Sequence, residues 1–187
     1  GPGWWIAGWE QLYTPSDTTT RLWIGGDGSA RICRKAHDSV YVATTTPNRP
    51  DSLVWSAGAG RYIRWGENKL QVRFDTTGMH RETINRLGQT TVFAGSVSQL
   101  DSIGVPTATS AKLWYRFTYT SGKLSGISAP SANGARNLVV TQSGGHLTDV
   151  TGPATTHVHF GSASGSHLLL SPTYPAANTM RYGYDIT

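Results

Sequence analysis

Apolar and polar residues alternate along this chain in short runs, and clusters of Gly, Ser, Thr, Asn and Asp separate the runs. WYRFTY (114–119) puts Trp114, Arg116 and Thr118 on one face and Tyr115, Phe117 and Tyr119 on the other, the period of two that a strand requires. RLWIGGDGSARICR (21–34) is two β-rich runs around Gly25-Gly26-Asp27-Gly28, residues suited to positive φ, and predicts a hairpin. KLQVRF (69–74) leads into the turn Asp75-Thr76-Thr77-Gly78, and NLVVTQ (137–142) into Ser143-Gly144-Gly145. MRYGYD (180–185) predicts a last short strand. MHRETINRLG (79–88) tempts a helical reading, but it is polar and holds β-branched Thr83 and Ile84, so strand and turn are expected. The predicted fold class is all-β: stacked antiparallel β-hairpins in a curved sheet or open barrel.

A repeat underlies these runs. FDTTGMHRETI (74–84), FTYTSGKLSGISAP (117–130), VTQSGGHLTDVTGP (140–153) and FGSASGSHLL (160–169) align. Each opens on an aromatic or β-branched residue and passes through a polar, Gly-containing turn. Most then enter a strand with Leu and Ile or Val three apart, ending at Pro. Leu100 to Pro106, Leu124 to Pro130 and Leu147 to Pro153 share a spacing of six. The opening residues Phe93, Phe117, Val140, Phe160 and Tyr182 advance by 24, 23, 20 and 22. A single strand–turn–strand unit cannot bury its apolar face alone, so neighbours must stack.

FDTTGMHRETINRLGQTTVF, then KLSGISAP, HLTDVTGP and the closing RYGYD, resembles RHS repeats, also called YD repeats. The Tyr-Asp pair stands as Tyr184-Asp185, and as Phe74-Asp75 in the first copy; Phe117-Thr118-Tyr119, Val140-Thr141-Gln142 and Gly161-Ser162 depart from it. The resemblance covers about residues 60–187. Similar repeats occur in bacterial polymorphic toxins, insecticidal toxin-complex subunits and animal teneurins, where arrays of hairpins spiral into a hollow β shell around cargo. The resemblance therefore implies a structural role in a secreted or cell-surface setting. On this reading residues 1–3 are a protease-cleavage scar, 4–60 an N-terminal hairpin and aromatic cap, and 61–187 the repeats. The chain stops partway through a copy, and an exposed edge strand would invite pairing with a second chain. A homodimer is expected.

Composition narrows the partners. The 22 Gly, 9 Pro and only 14% charged residues point to many turns, and 7 Trp with 8 Tyr argue against disorder. The net charge of +5 is scattered apart from Arg31, Arg34 and Lys35, which does not make the basic, aromatic-interleaved face of a nucleic-acid binder. No apolar run is long enough for a membrane span. Cys33 is alone, so no internal disulfide is possible.

Candidate chemistry centres on THVHFGSASGSHL (156–168). His157 and His159 share one strand face, opposite Val158 and Phe160, in the slots of Trp114 and Arg116. A His-x-His on a strand can grip Zn²⁺, with a third ligand from His146, His167 or Asp149 leaving an open position for water. Such a water becomes a usable hydroxide, which permits ester or phosphoester hydrolysis. His146 and His80, each six residues after a copy's opening, match Lys123 as general basic positions. Asp101 and Asp149 recur after the Leu positions as repeat features. Cys33, among cations, is a candidate nucleophile with His37 as its base if the chain turns back there. Gly161-Ser162-Ala163-Ser164-Gly165 has Ala where a nucleophile elbow requires Ser. Trp4, Trp5, Trp9 and Tyr13, with Trp23, Trp55 and Trp65, suit either a core cap or stacking on sugars. The leading reading is a structural repeat segment. A small hydrolase and a carbohydrate-binding module are the alternatives.

Overall fold

The computed structural model describes residues 6, 8–44, 52–109, 111–131, 136–153, 156–163 and 168–184. The protein is all-β, made of antiparallel hairpins in chain order. It divides into two compact units, residues 3–113 and 114–187. This division differs from the expected boundary at 60/61, which falls in the turn between two paired strands, Ser52–Ser56 and Arg61–Trp65. No described helix is long and apolar enough to cross a membrane.

The first unit holds β1 (Gln11–Tyr13), β2 (Thr20–Ile24), β3 (Ala30–His37), β4 (Val40–Ala43), β5 (Ser52–Ser56), β6 (Arg61–Trp65), β7 (Gln71–Phe74), β8 (His80–Ile84), β9 (Thr90–Gly95) and β10 (Leu100–Pro106). Each strand pairs with the next. The meander curls far enough for its start to meet its middle. The Leu12 amide donates to the Gly78 carbonyl, and Gln11 bridges Met79, so the outer edge of β1 lies on the turn after β7.

The core of this unit follows the period-two pattern. Leu12, Trp23, Cys33, Tyr41, Leu53, Val72 and Phe74 form one cluster. Full burial of a side chain such as Leu53 or Phe74 contributes about 1.5–3 kcal/mol. Cations share this inner face. Arg21 is buried, lies over the Tyr41 and Tyr62 rings at 4.8 and 5.2 Å, and donates to the Tyr62 hydroxyl. A guanidinium is planar and weakly hydrated, so ring faces and neutral oxygens can hold it where an ammonium would stay in water.

The turns form for local reasons. Asp27 Oδ1 accepts from the Ser29 amide and hydroxyl, Asp75 Oδ1 from those of Thr77, and Asn85 Oδ1 from the Leu87 amide. Such side chains mimic a backbone turn. Gly28 and Gly78 take the positive φ that the expected hairpins at 25–28 and 75–78 need. Residues 79–88 are strand and turn, as their composition predicts.

The second unit contains β11 (Lys112–Thr120, starting two residues before the boundary), β12 (Lys123–Ala129), β13 (Arg136–Ser143), β14 (His146–Thr151), β15 (His157–Ser162) and β16 (Leu169–Thr173). One face carries Phe117, Ile127, Leu138, Val140, Val150, Val158 and Phe160, all half-buried. Among the described residues of this unit only Pro172 is buried. The second unit is thus a sheet with an apolar face but almost no sealed core. The expected strand at 180–185 is irregular over its described part. Met180 and Tyr182 amides nevertheless donate to the Pro172 and Leu170 carbonyls along the free edge of β16. Asp185 lies outside the described residues.

Pairing register gives the repeat its true frame. Five hairpins carry the same bulge, one extra residue on the returning strand directly after its first or second residue. The pairs that flank it begin at Phe74↔His80, Gly95↔Leu100, Tyr119↔Leu124, Gln142↔Leu147 and Ser162↔Leu169. The extra residues are Arg81, Asp101, Ser125, Thr148 and Leu170. Counting from Phe74 therefore misplaces the first copy. Val72, not Phe74, is the counterpart of Phe93, Phe117, Val140 and Phe160. His80 occupies the Leu slot, not the basic slot of Lys123 and His146, and it is fully buried. Asp101 is a bulge residue, whereas Asp149 stands one position later, so the two are not equivalent.

Candidate metal-ligating site

Asp149 lies on β14 and His157 and His159 on β15. Asp149 pairs directly with His159, and His157 is two residues away on the same face. Cross-strand and diagonal neighbours on one sheet face are within side-chain reach. Both imidazoles turn to a single carboxylate oxygen. His157 Nε2 is 2.6 Å and His159 Nδ1 2.9 Å from Asp149 Oδ1, and the rings stand 6.4 Å apart. Hydrogen bonds from His159 and then His157 hold the Asp149 carboxyl down to about 2. The carboxylate is therefore ionised at neutral pH. One ligand atom from each residue lies within 4.8 Å of the others.

The site is open to solvent. The side chains of His157 and His159 are 50% and 56% exposed, and that of Asp149 is 24% exposed. Two imidazoles and a carboxylate match the preference of borderline divalent transition ions, Zn²⁺ among them.

Of the three sequence candidates for a third ligand, Asp149 joins the histidine pair. His146 opens β14 opposite Ser143, beside the Gly144-Gly145 turn, and is not part of the cluster. His167 lies outside the described residues. Strand register between β14 and β15 is what singles Asp149 out from the three.

The Cys33–His37 pair is not brought together. Both residues lie on β3, and the chain turns only after His37. Four residues of extended strand separate them by about 13 Å. Cys33 is buried in the core cluster, and His37 is exposed. A buried thiol packed among aromatics is out of reach of a substrate.

The aromatic cluster is also largely structural. Trp9 and Trp23 are buried, and Trp55 packs on Tyr62 with ring centroids 4.7 Å apart. Trp4 and Trp5 lie outside the described residues. Trp65 and Trp114 are the exposed tryptophans among those described, one in each unit. Neither a family model nor a curated protein matches this chain.

Proposed function

We propose that this chain is a scaffold segment: a run of β-hairpin repeats of the RHS or YD kind, forming part of the wall of a larger secreted or surface shell. The observation that supports this reading most strongly is the bulge shared by five hairpins, after His80, Leu100, Leu124, Leu147 and Leu169. A bulge increases local twist and bends the strand that carries it. Repeating it once per hairpin bends a growing sheet in a regular way, which suits a curved wall. The half-buried apolar face of the second unit suits a wall whose other layer lies elsewhere. The polar loops and ordinary sheet positions have no need of chemistry in such a role.

Excising one period tests the repeat reading. Joining Lys123 to Leu147 removes residues 124–146 and leaves equivalent slots in sequence. The shortened chain should keep a strand-rich circular dichroism spectrum and an unchanged melting transition for the first unit. Collapse of both would defeat the repeat reading. A panel of chromogenic ester and phosphoester substrates tests it against the hydrolase reading. Turnover lost in His157→Ala, in a variant whose circular dichroism is unchanged, would replace the scaffold with an enzyme.

A further inference from the structure

We propose that Asp149, His157 and His159 bind one divalent transition-metal ion of the Zn²⁺ class and staple β14 to β15. The inference stands on the cluster itself and does not depend on the RHS reading.

Donor chemistry and position agree. The three ligand atoms already converge within 4.8 Å, and two of the three separations are hydrogen-bond lengths of 2.6 and 2.9 Å. Tetrahedral bonds of about 2.0–2.2 Å place ligand atoms about 3.3 Å apart. The rings and carboxylate reach that spacing by small rotations, which exposed side chains can make. An ion between them replaces the imidazole protons that now point at Asp149 Oδ1. The fourth position faces solvent and is left for water or an exogenous anion.

The repeat supplies an independent observation. The position of Asp149 is held by Glu82 and Gly126 in other hairpins, and the residues paired across from these are Val92 and Val139. Two residues before each Val stand Thr90 and Asn137. Neither of these pairings combines a carboxylate with two imidazoles. The β14–β15 pairing departs from both siblings at the two histidine positions, and it alone joins those imidazoles to a carboxylate at one point.

The location also gives the ion something to do. The second unit buries almost no apolar side chain among its described residues, so its strand pairing has little tertiary support. A link between adjacent strands adds stability where the hydrophobic contribution is smallest, because the ion binds the folded arrangement and not the unfolded chain.

The test is a calorimetric titration of the chelator-treated whole chain with Zn²⁺ at neutral pH, joined to thermal melting. Saturable binding of one ion per chain and a higher melting temperature for the second unit are expected. Co²⁺ in place of Zn²⁺ should give the visible bands of low-coordinate cobalt. Asp149→Asn and the double variant His157→Ala/His159→Ala should each weaken binding by at least about tenfold. His146→Ala should leave it unchanged. These residues are exposed or half-buried, and circular dichroism of each variant confirms that it folds. No saturable binding, or binding that survives the double variant, overturns the site. Binding with no change in melting overturns the stapling role.

Discussion

The backbone amide of Glu10 donates to Nδ1 of His80 at 3.2 Å, joining the chain's entry to a strand 70 residues later. Because Nδ1 accepts, the imidazole proton sits on Nε2, which is 2.8 Å from the Thr83 hydroxyl and donates to it. The ring is fully buried, packed on Phe93 at 4.0 Å and near Phe74 at 5.7 Å. His80 is therefore a neutral core histidine in a slot that other hairpins fill with Leu.

This placement makes stability depend on pH. Burial, helped by the nearby Arg64 guanidinium, pushes the His80 imidazole from 6.5 down to about 3. The unfolded chain takes up this proton as pH falls through 6.5, and the folded chain does not until about 3. Stability is thus fully present above the unfolded value and is lost as the solution is acidified. Between about pH 6 and 4.5 the loss should be about 2 kcal/mol from this group. Asp75 and Glu82, held below their ordinary values of 3.8 and 4.5, add losses only at lower pH. Urea midpoints measured across this window check the slope. His80→Leu should flatten it while lowering stability at neutral pH by about 1–3 kcal/mol, because the half-buried Glu10 amide loses its acceptor.

The Glu10 side chain gives a second prediction. Its carboxylate accepts from the Trp23 indole at 2.7 Å and from Arg64 at 2.7 and 3.1 Å, and Arg64 also lies over the Trp23 ring at 4.7 Å. The side chains of Arg64 and Glu10 are only 12% and 13% exposed. Removing one charge from such a pair leaves the other poorly solvated. Glu10→Gln should cost about 1–3 kcal/mol, read as a lower urea midpoint with unchanged slope. Arg64→Lys should also destabilise, since an ammonium neither forks onto the carboxylate nor stacks on the indole. An unchanged midpoint in both variants would refute this account of the node.

Strand class and turn positions were legible because they rest on local causes. The alternation in 114–119 and the Gly, Asp and Ser clusters at 25–28, 75–78 and 143–145 act within a few residues. The depth of each side chain depends on distant partners and was less legible. Arg21 read as a scattered surface charge, yet Tyr41 and Tyr62 hold it inside. His80 read as a polar sheet position because the count began at Phe74, two residues past the true counterpart Val72, and the turn after Phe74, one residue longer than the turn after Tyr119, offsets only one of the two. The histidine pair at 157 and 159 was legible from period two. Its third member was not singled out, since register between strands is invisible until turns and bulges fix it.

A third prediction concerns how the first unit closes on itself. Gly78 has φ +84°, and a Cβ there would run into the Leu12 carbonyl. The clash is with backbone, so no side-chain rotation relieves it. Gly88 has a similar φ of +80° but open space around the missing Cβ. Gly88→Ala should therefore cost only about 1 kcal/mol, the penalty of a left-handed conformation for a residue with a Cβ. Gly78→Ala must in addition displace β1 from the turn at 75–79, which breaks the Leu12–Gly78 hydrogen bond and loosens the Glu10–His80 contact. Its cost should exceed that of Gly88→Ala severalfold in urea unfolding. Amide exchange should rise selectively at Leu12 and Glu10 while β4 and β5 stay protected. Equal costs for the two substitutions would mean that the close approach of residues 12 and 78 does not hold the entry strand in place.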